Sequence, residues 1–179
     1  MAKLLTHIDS NLKEWIQNQK IFFVGSAPLS KNGHVNISPK GCDSFRIIDE
    51  FNVAYNDLTG SGIETASHVQ ENKRLVIMFC SFSGPPQIIR LHGIGEVIKL
   101  GDPHFNNLRS IFPFHMGTRL IIKLNIKRIS SSCGYSIPYF DYVGERDVLD
   151  KWTEAKGESG LADYRKNKNS FSIDGLKGI

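Results

Sequence analysis

The sequence predicts a mainly β fold, an antiparallel β-barrel with peripheral helices. Three observations carry this expectation. About six or seven short segments have strand character. They are joined mostly by turns rather than by regular helical crossovers, which argues against a doubly wound sheet. One of them, residues 119–129, alternates strongly, with Leu120, Ile122, Leu124 and Ile126 on one face.

In chain order, residues 10–20 place Leu12, Trp15 and Ile16 at helical spacing, with Ser10 as the expected N-cap. "IFFVGSAPL" reads as a strand ended by Pro28, and "HVNIS" alternates after the turn "KNG" as a hairpin partner would. "FRII" and "FNVAY" flank the turn "DE" as two more strands. "IETASHVQEN" is helical. "RLVIMFCSF" and "IIRLHGIGEVI" are strands joined by "SGPP". Residues 103–112 form a short helix closed by Pro113. After Ser130 the composition changes. "SSSCGYSIPYFDY" is read as an irregular loop. The charged stretch 144–169 is read as mostly helical, with Val148, Leu149, Trp152 and Ala155 as its apolar stripe. The expected organisation is a barrel over residues 1–130 and a C-terminal loop and helical extension over 131–179, packed on the same domain.

With 179 residues, 40% apolar and 22% charged, the chain suits one globular domain. The net charge of +4 is scattered rather than clustered, which speaks against a nucleic-acid partner. Cys42, Cys80 and Cys133 form no C-x-x-C pair, so a zinc site is not expected and reduced thiols are. The N-terminal stretch lacks the apolar core of a signal peptide, and no apolar run is long enough to span a bilayer. These features point to a cytoplasmic protein without a membrane partner.

Two stretches carry candidate chemistry. In "LTGSGIETASH", Ser61 and Glu64 have the spacing of a capping box, and Gly60 and Gly62 permit a tight turn before a helix. Free N–H groups at such a turn bind anions, with hydroxyls of Thr59, Ser61 and Thr65 as added donors; a merely well-capped helix is the plainer reading. A dinucleotide fingerprint is excluded, because no acid occurs between Glu71 and Glu96, and a P-loop is excluded because no G-K-[ST] follows. In "NISPKG", Pro39 marks a strand edge or end. Lys40 beside it is suited to a developing negative charge, to a phosphate, or to pairing with Asp43. Arg90 and His92 share a strand face. His68 lies on the helix after the glycine turn. Cys133 has no local base, and no G-x-S-x-G elbow is present, so hydrolysis is not expected.

Taken together, "HVNISPKG", "YNDLTGSGIETASHVQENKR", "VIMFCSFSGPPQIIRLHG" and "SSCGYSIPYFDY" resemble the pyridoxamine 5′-phosphate oxidase-like family. The resemblance implies a split β-barrel that binds FMN at a homodimer interface and acts on a small-molecule substrate. It places Asn36, Ile37, Ser38 and Lys40, with Pro39 between them, along the flavin ring or ribityl chain. It places Thr59, Gly60, Ser61, Gly62 and Thr65 against the phosphate. Asn56, Asp57 and Arg90 complete the expected cofactor set, and Lys40 is the expected catalytic residue. The chain departs from the pattern at one point. Family oxidases carry an Arg-Lys pair at the helix start, where this chain has Glu64 and Thr65. Lys40, Arg46 and Arg90 are the candidates to replace that charge. The C-terminal arginine and histidine that grip pyridoxine phosphate are also missing, so vitamin B6 oxidation is not the first expectation. The expected function is an FMN-dependent oxidoreductase. The alternatives are a non-catalytic binder of flavin, deazaflavin or haem, with His34, His92 or His115 as haem ligands, and a dimer with a vestigial site.

Overall fold

The structure, a computed structural model, describes residues 3–179. Its centre is one curled antiparallel sheet of eight strands. The strands are β1 (Lys3–Leu5), β2 (Phe22–Ser26), β3 (Asn36–Lys40), β4 (Phe45–Ile47), β5 (Asn52–Leu58), β6 (Arg74–Cys80), β7 (Gln87–Lys99) and β8 (Thr118–Cys133). Helices α1 (Ser10–Gln17), α2 (Glu64–Asn72), α3 (Phe105–Arg109) and α4 (Val148–Lys168) sit around it. The spatial order is β3-β2-β6-β7-β8-β5-β4, with β1 added to the far end of β8. The mainly β split barrel expected from the sequence is the fold observed.

Alternation builds the core. Leu120, Ile122 and Leu124 of β8 are fully buried with Val53 and Tyr55 of β5 and Ile89 and Leu91 of β7. The intervening Ile121 is buried too, on the opposite face, against Ala54, Ile98, Phe105 and Phe112. That second cluster is what α3 covers. Phe22, Phe45 and Phe79 close one end of the barrel, with ring centroids 5.0 to 5.8 Å apart. Phe22 and Phe45 lie on strands from opposite ends of the sheet order, so their contact spans the seam of the curled sheet. Where the β7–β8 register slips between His92 and Gly93, a Cβ on Gly93 would run into the Asn125 carbonyl. A glycine is required there for the bulge that bends the sheet.

Three local expectations are corrected. Asp9, not Ser10, caps α1; its carboxylate accepts from the Leu12 amide at 2.8 Å, leaving Ser10 as the first helical residue. β8 does not give way to a loop after Ser130 but continues to Cys133, because Ser130 to Cys133 pair with β7, and Ser130 and Ser131 pair also with Leu4 and Lys3 of β1. That partner, β1, is three residues long and too short to show a period. The stripe proposed for α4 does not form: Val148 and Ala155 are exposed, and Thr153 and Leu161 are buried instead. Gly157, at φ 64° and ψ 177°, interrupts the helix, so no 3.6-residue period runs through it.

Candidate functional site

β3 and β5 are far apart in the sheet order but face each other across the seam. Asp57, near the end of β5, is 2% exposed and receives a cation on each oxygen. Lys40 Nζ of β3 lies 2.9 Å from Oδ1, and Arg119 Nε of β8 lies 2.7 Å from Oδ2. Burial raises the Asp57 pKa, but the two cations outweigh it and hold the carboxyl below its ordinary value. The trio therefore carries a surplus positive charge. Arg165 adds another cation behind it, donating from Nε to Thr59 Oγ1 at 2.9 Å. Lys40 was expected to face a phosphate or Asp43. Its carboxylate partner is Asp57 and not Asp43, which is held by both Nη atoms of Arg46 at 2.8 and 2.9 Å.

The trio lines one wall of a cleft of about 230 Å³. Ser38 and Pro39 of β3 form a second wall, and Gly60, Gly62 and the first residues of α2 a third. Asn36, the first residue of β3, donates to Thr65 Oγ1 at 2.9 Å, tying the strand to the helix. The Tyr55 hydroxyl lies beside Thr65, fully buried and without a hydrogen-bond partner. Burial, with the charge of Asp57, pushes its pKa well above 10.0, so it stays protonated.

The expected capping box is absent. Ile63 precedes the helix and makes no side-chain cap. Glu64 turns toward the C-terminal segment, where its Oε1 accepts from the Ile173 amide at 3.2 Å. Its other oxygen lies over Gly62, occupying the space a Cβ would need. This ties one oxygen of Glu64 to a backbone donor. Gly60 has no atom within 4 Å of where its Cβ would stand.

Of the residues singled out from the sequence, Ser38, Pro39, Lys40, Asp57, Gly60, Gly62, Glu64 and Thr65 line the cleft. The others do not. Ile37 points to the opposite face of β3 and is 68% exposed. Asn56 is buried and joins β5 to β8 through Thr118 Oγ1 at 3.0 Å. Thr59 spends its hydroxyl on the Gly117 carbonyl, and the Ser61 carbonyl approaches Asn169. Arg90 lies on β7 and donates to Ser132 Oγ at 3.0 Å; Arg46 is committed to Asp43 and stacks 5.6 Å from the Phe112 ring. Neither lines this cleft. The arginine that does line it is Arg119, which sequence reasoning missed. The available signal was an arginine at the head of an apolar alternating strand.

The histidines are dispersed. His34 and His115 each pair with an aspartate, Asp174 and Asp150, at 2.7 and 3.0 Å. Burial and the nearby Arg128 and Arg90 lower the His92 pKa. Among the described residues no group of three or more His, Cys, Asp or Glu side chains is placed to hold a metal ion, and no helix is long and apolar enough to cross a membrane.

A curled antiparallel sheet with helices at its margins, and a cleft at its seam lined by Lys40, Arg119, Asp57 and Glu64, define a protein of the split-barrel class. No family model matches the chain. It is 38% identical over 189 residues to the pyridoxamine 5′-phosphate oxidase family protein ustO of Aspergillus flavus, covering 96% of this chain and 76% of that protein. The chain belongs to the pyridoxamine 5′-phosphate oxidase family. Solved structures agree on the fold. A candidate pyridoxamine 5′-phosphate oxidase from Lactobacillus delbrueckii superposes with a TM-score of 0.54 at 16% identity, over 71% of this chain and 98% of that one. An FAD-binding protein from Mesorhizobium loti superposes with a TM-score of 0.52 at 10% identity, over 73% and 96%.

Proposed function

We propose that this chain binds FMN, with the phosphate in the cleft between β3 and α2, and serves as a flavin-dependent oxidoreductase for a small-molecule substrate. The observation that carries the reading is the pairing of two cations, Lys40 and Arg119, with the single buried carboxylate of Asp57. The surplus charge lies beside backbone that Gly60 leaves open. Ser38 Oγ and Thr65 Oγ1 stand on the facing walls as further polar groups. Glu64 lines the cleft as well, with one oxygen held by the Ile173 amide, so a phosphate monoester is received on the side of Lys40 and Arg119. Family membership and the flavin-binding protein among the fold neighbours support a flavin in particular.

One chain does not enclose a flavin. At about 230 Å³ the cleft falls below the roughly 300–1,000 Å³ of sites that bury a whole small molecule. The exposed apolar side chains of Val35 and Ile37 flank β3 on its open face. The small, open cleft favours a homodimer with the flavin at the interface. When bound, FMN supplies hydride chemistry. The chain's own groups bind and orient. Lys40 keeps its ammonium between the Asp57 carboxylate and the Tyr55 ring, 5.7 Å from the ring centroid, as a fixed positive charge beside the ligand.

The test is the absorption spectrum of freshly purified protein and titration of the apoprotein with FMN. The expected result is yellow protein or a Kd of about 1 μM or tighter, near −8 kcal/mol. Colourless protein that ignores FMN overturns the reading. Parallel titrations with a deazaflavin and with haem then identify which other cofactor, if either, takes the site.

A further inference from the structure

Asn169 is completely buried and lies outside the cleft, yet it uses every polar atom on the parts that shape it. Its Oδ1 accepts from Arg119 Nη1 at 2.9 Å, across 50 residues of chain. Its Nδ2 donates to the Gly60 carbonyl at 2.9 Å. Its backbone N–H donates to the Arg165 carbonyl at 2.7 Å, and its own carbonyl accepts from the Ile179 amide at 3.0 Å. The last residues of the chain fold back to make these bonds. Gly178 passes so close to the Asn169 carbonyl that a Cβ would collide with it. Ile179 packs against the main core, and Gln70 of α2 donates to the carbonyls of Lys177 and Gly178. Arg165 and the Ile173 amide complete the bracket by binding Thr59 and Glu64.

Two consequences follow for the cleft. First, the Gly60 carbonyl, which would repel an anion, is turned onto two donors, Asn169 Nδ2 and Arg119 Nη1. Across a planar trans peptide the Ser61 N–H then points the opposite way. Second, Arg119 is locked by its Nε on Asp57 and its Nη1 on Asn169 and Gly60. Among the described residues, its Nη2 has no hydrogen-bond partner and is not a buried orphan. A guanidinium held at two corners presents the third in a fixed direction.

We infer that residues 165–179 are a positioning element for the cleft: Asn169 aims Arg119 and orients the Gly60 peptide, so that affinity for a phosphate monoester depends on the docked C-terminal segment. This rests on the reading that the cleft takes a ligand's phosphate. Asn169 is a positioning residue, and Arg119 Nη2 is the donor it presents.

The experiment compares wild type with Asn169→Asp and Arg119→Lys. The aspartate retains an acceptor for Arg119 but loses the donor to Gly60 and cancels the arginine's charge. The lysine keeps the charge but loses the fork. Each variant is titrated with FMN and with riboflavin, which lacks the phosphate. Each is also titrated with inorganic phosphate, read as a shift in Tm. Both variants are expected to lose FMN affinity by about tenfold or more, the effect of one charge-assisted hydrogen bond. Riboflavin affinity should stay within about twofold. Equal losses for FMN and riboflavin would mean a merely structural segment and overturn the inference, as would unchanged FMN affinity. If wild type binds neither flavin, the proposed function falls, and inorganic phosphate decides this inference alone. Phosphate that stabilises wild type and neither variant supports it; phosphate that stabilises all three or none overturns it. Should both variants fail to fold, hydrogen exchange of residues 59–63 in wild type, with the milder Asn169→Ser alongside, replaces them. Selective loss of protection at 59–63 supports positioning, and uniform loss refutes it.

Discussion

Arg119 and Asp57 are 62 residues apart in sequence, and in the fold Arg119 Nε stands 2.7 Å from Asp57 Oδ2, with both side chains almost wholly excluded from solvent. With Lys40 on the other oxygen, this carboxylate joins three strands at the seam of the barrel. It ties these strands together through two ion pairs.

Asp57→Asn is expected to cost about 3–5 kcal/mol, because it leaves two cations facing each other without their counter-charge. Urea midpoints measure this. The acid limb should change too. The folded-state carboxyl titrates below its ordinary value of 3.8, so its contribution is complete above that value and is lost as pH falls through the folded value. In Asp57→Asn that part of the low-pH loss of stability disappears.

Lys40→Ala is expected to slow flavin reduction more than it weakens flavin binding. The ammonium is a fixed charge beside the site, whereas Arg119, Ser38 and Thr65 remain for binding. Stopped-flow reduction beside an equilibrium titration separates the two. Equal losses would strip Lys40 of a catalytic role.

His68 is fully buried on α2, with Nδ1 3.0 Å from Ser26 Oγ and Nε2 unpartnered. Burial pushes its pKa below 6.5, against the pull of Asp174, Glu64 and Glu71. The unfolded chain therefore binds the proton more readily, and stability should fall as pH drops below about 6.5. Thermal melts across that window in wild type and His68→Leu check this; the variant should have the flatter profile.

Gly93→Ala and Gly60→Ala should behave oppositely. At position 93 the added methyl meets the Asn125 carbonyl in the bulge, so a loss of at least about 1–3 kcal/mol is expected. At position 60 it enters open space at the cleft, so stability should hold within about 0.5 kcal/mol while ligand affinity drops. Denaturation of both, with FMN titration of the second, is the measurement.

The parts of this protein that were legible in sequence are the ones written in local patterns. Alternation in residues 119–129, turn residues at Asn32-Gly33, and the helical period of α2 each reflect neighbours within a few positions. The stretches "NISPKG" and "LTGSGIET" stood out for their proline, lysine, glycines and hydroxyls, and parts of both line one cleft. What stayed hidden depends on chain segments that meet only after folding. β1 acquires strand structure by pairing with the end of β8. Glu64 abandons a capping box because an amide from residue 173 is within reach. Lys40 takes Asp57 rather than Asp43 because curling the sheet brings its two ends together. Local composition determined which side chains were available and which backbone was free to bind an anion. The closing of the barrel, and the return of the C-terminal segment to Asn169 and Arg119, decided where the charge sits, since buried cations settle only where a partner carboxylate and amide satisfy them.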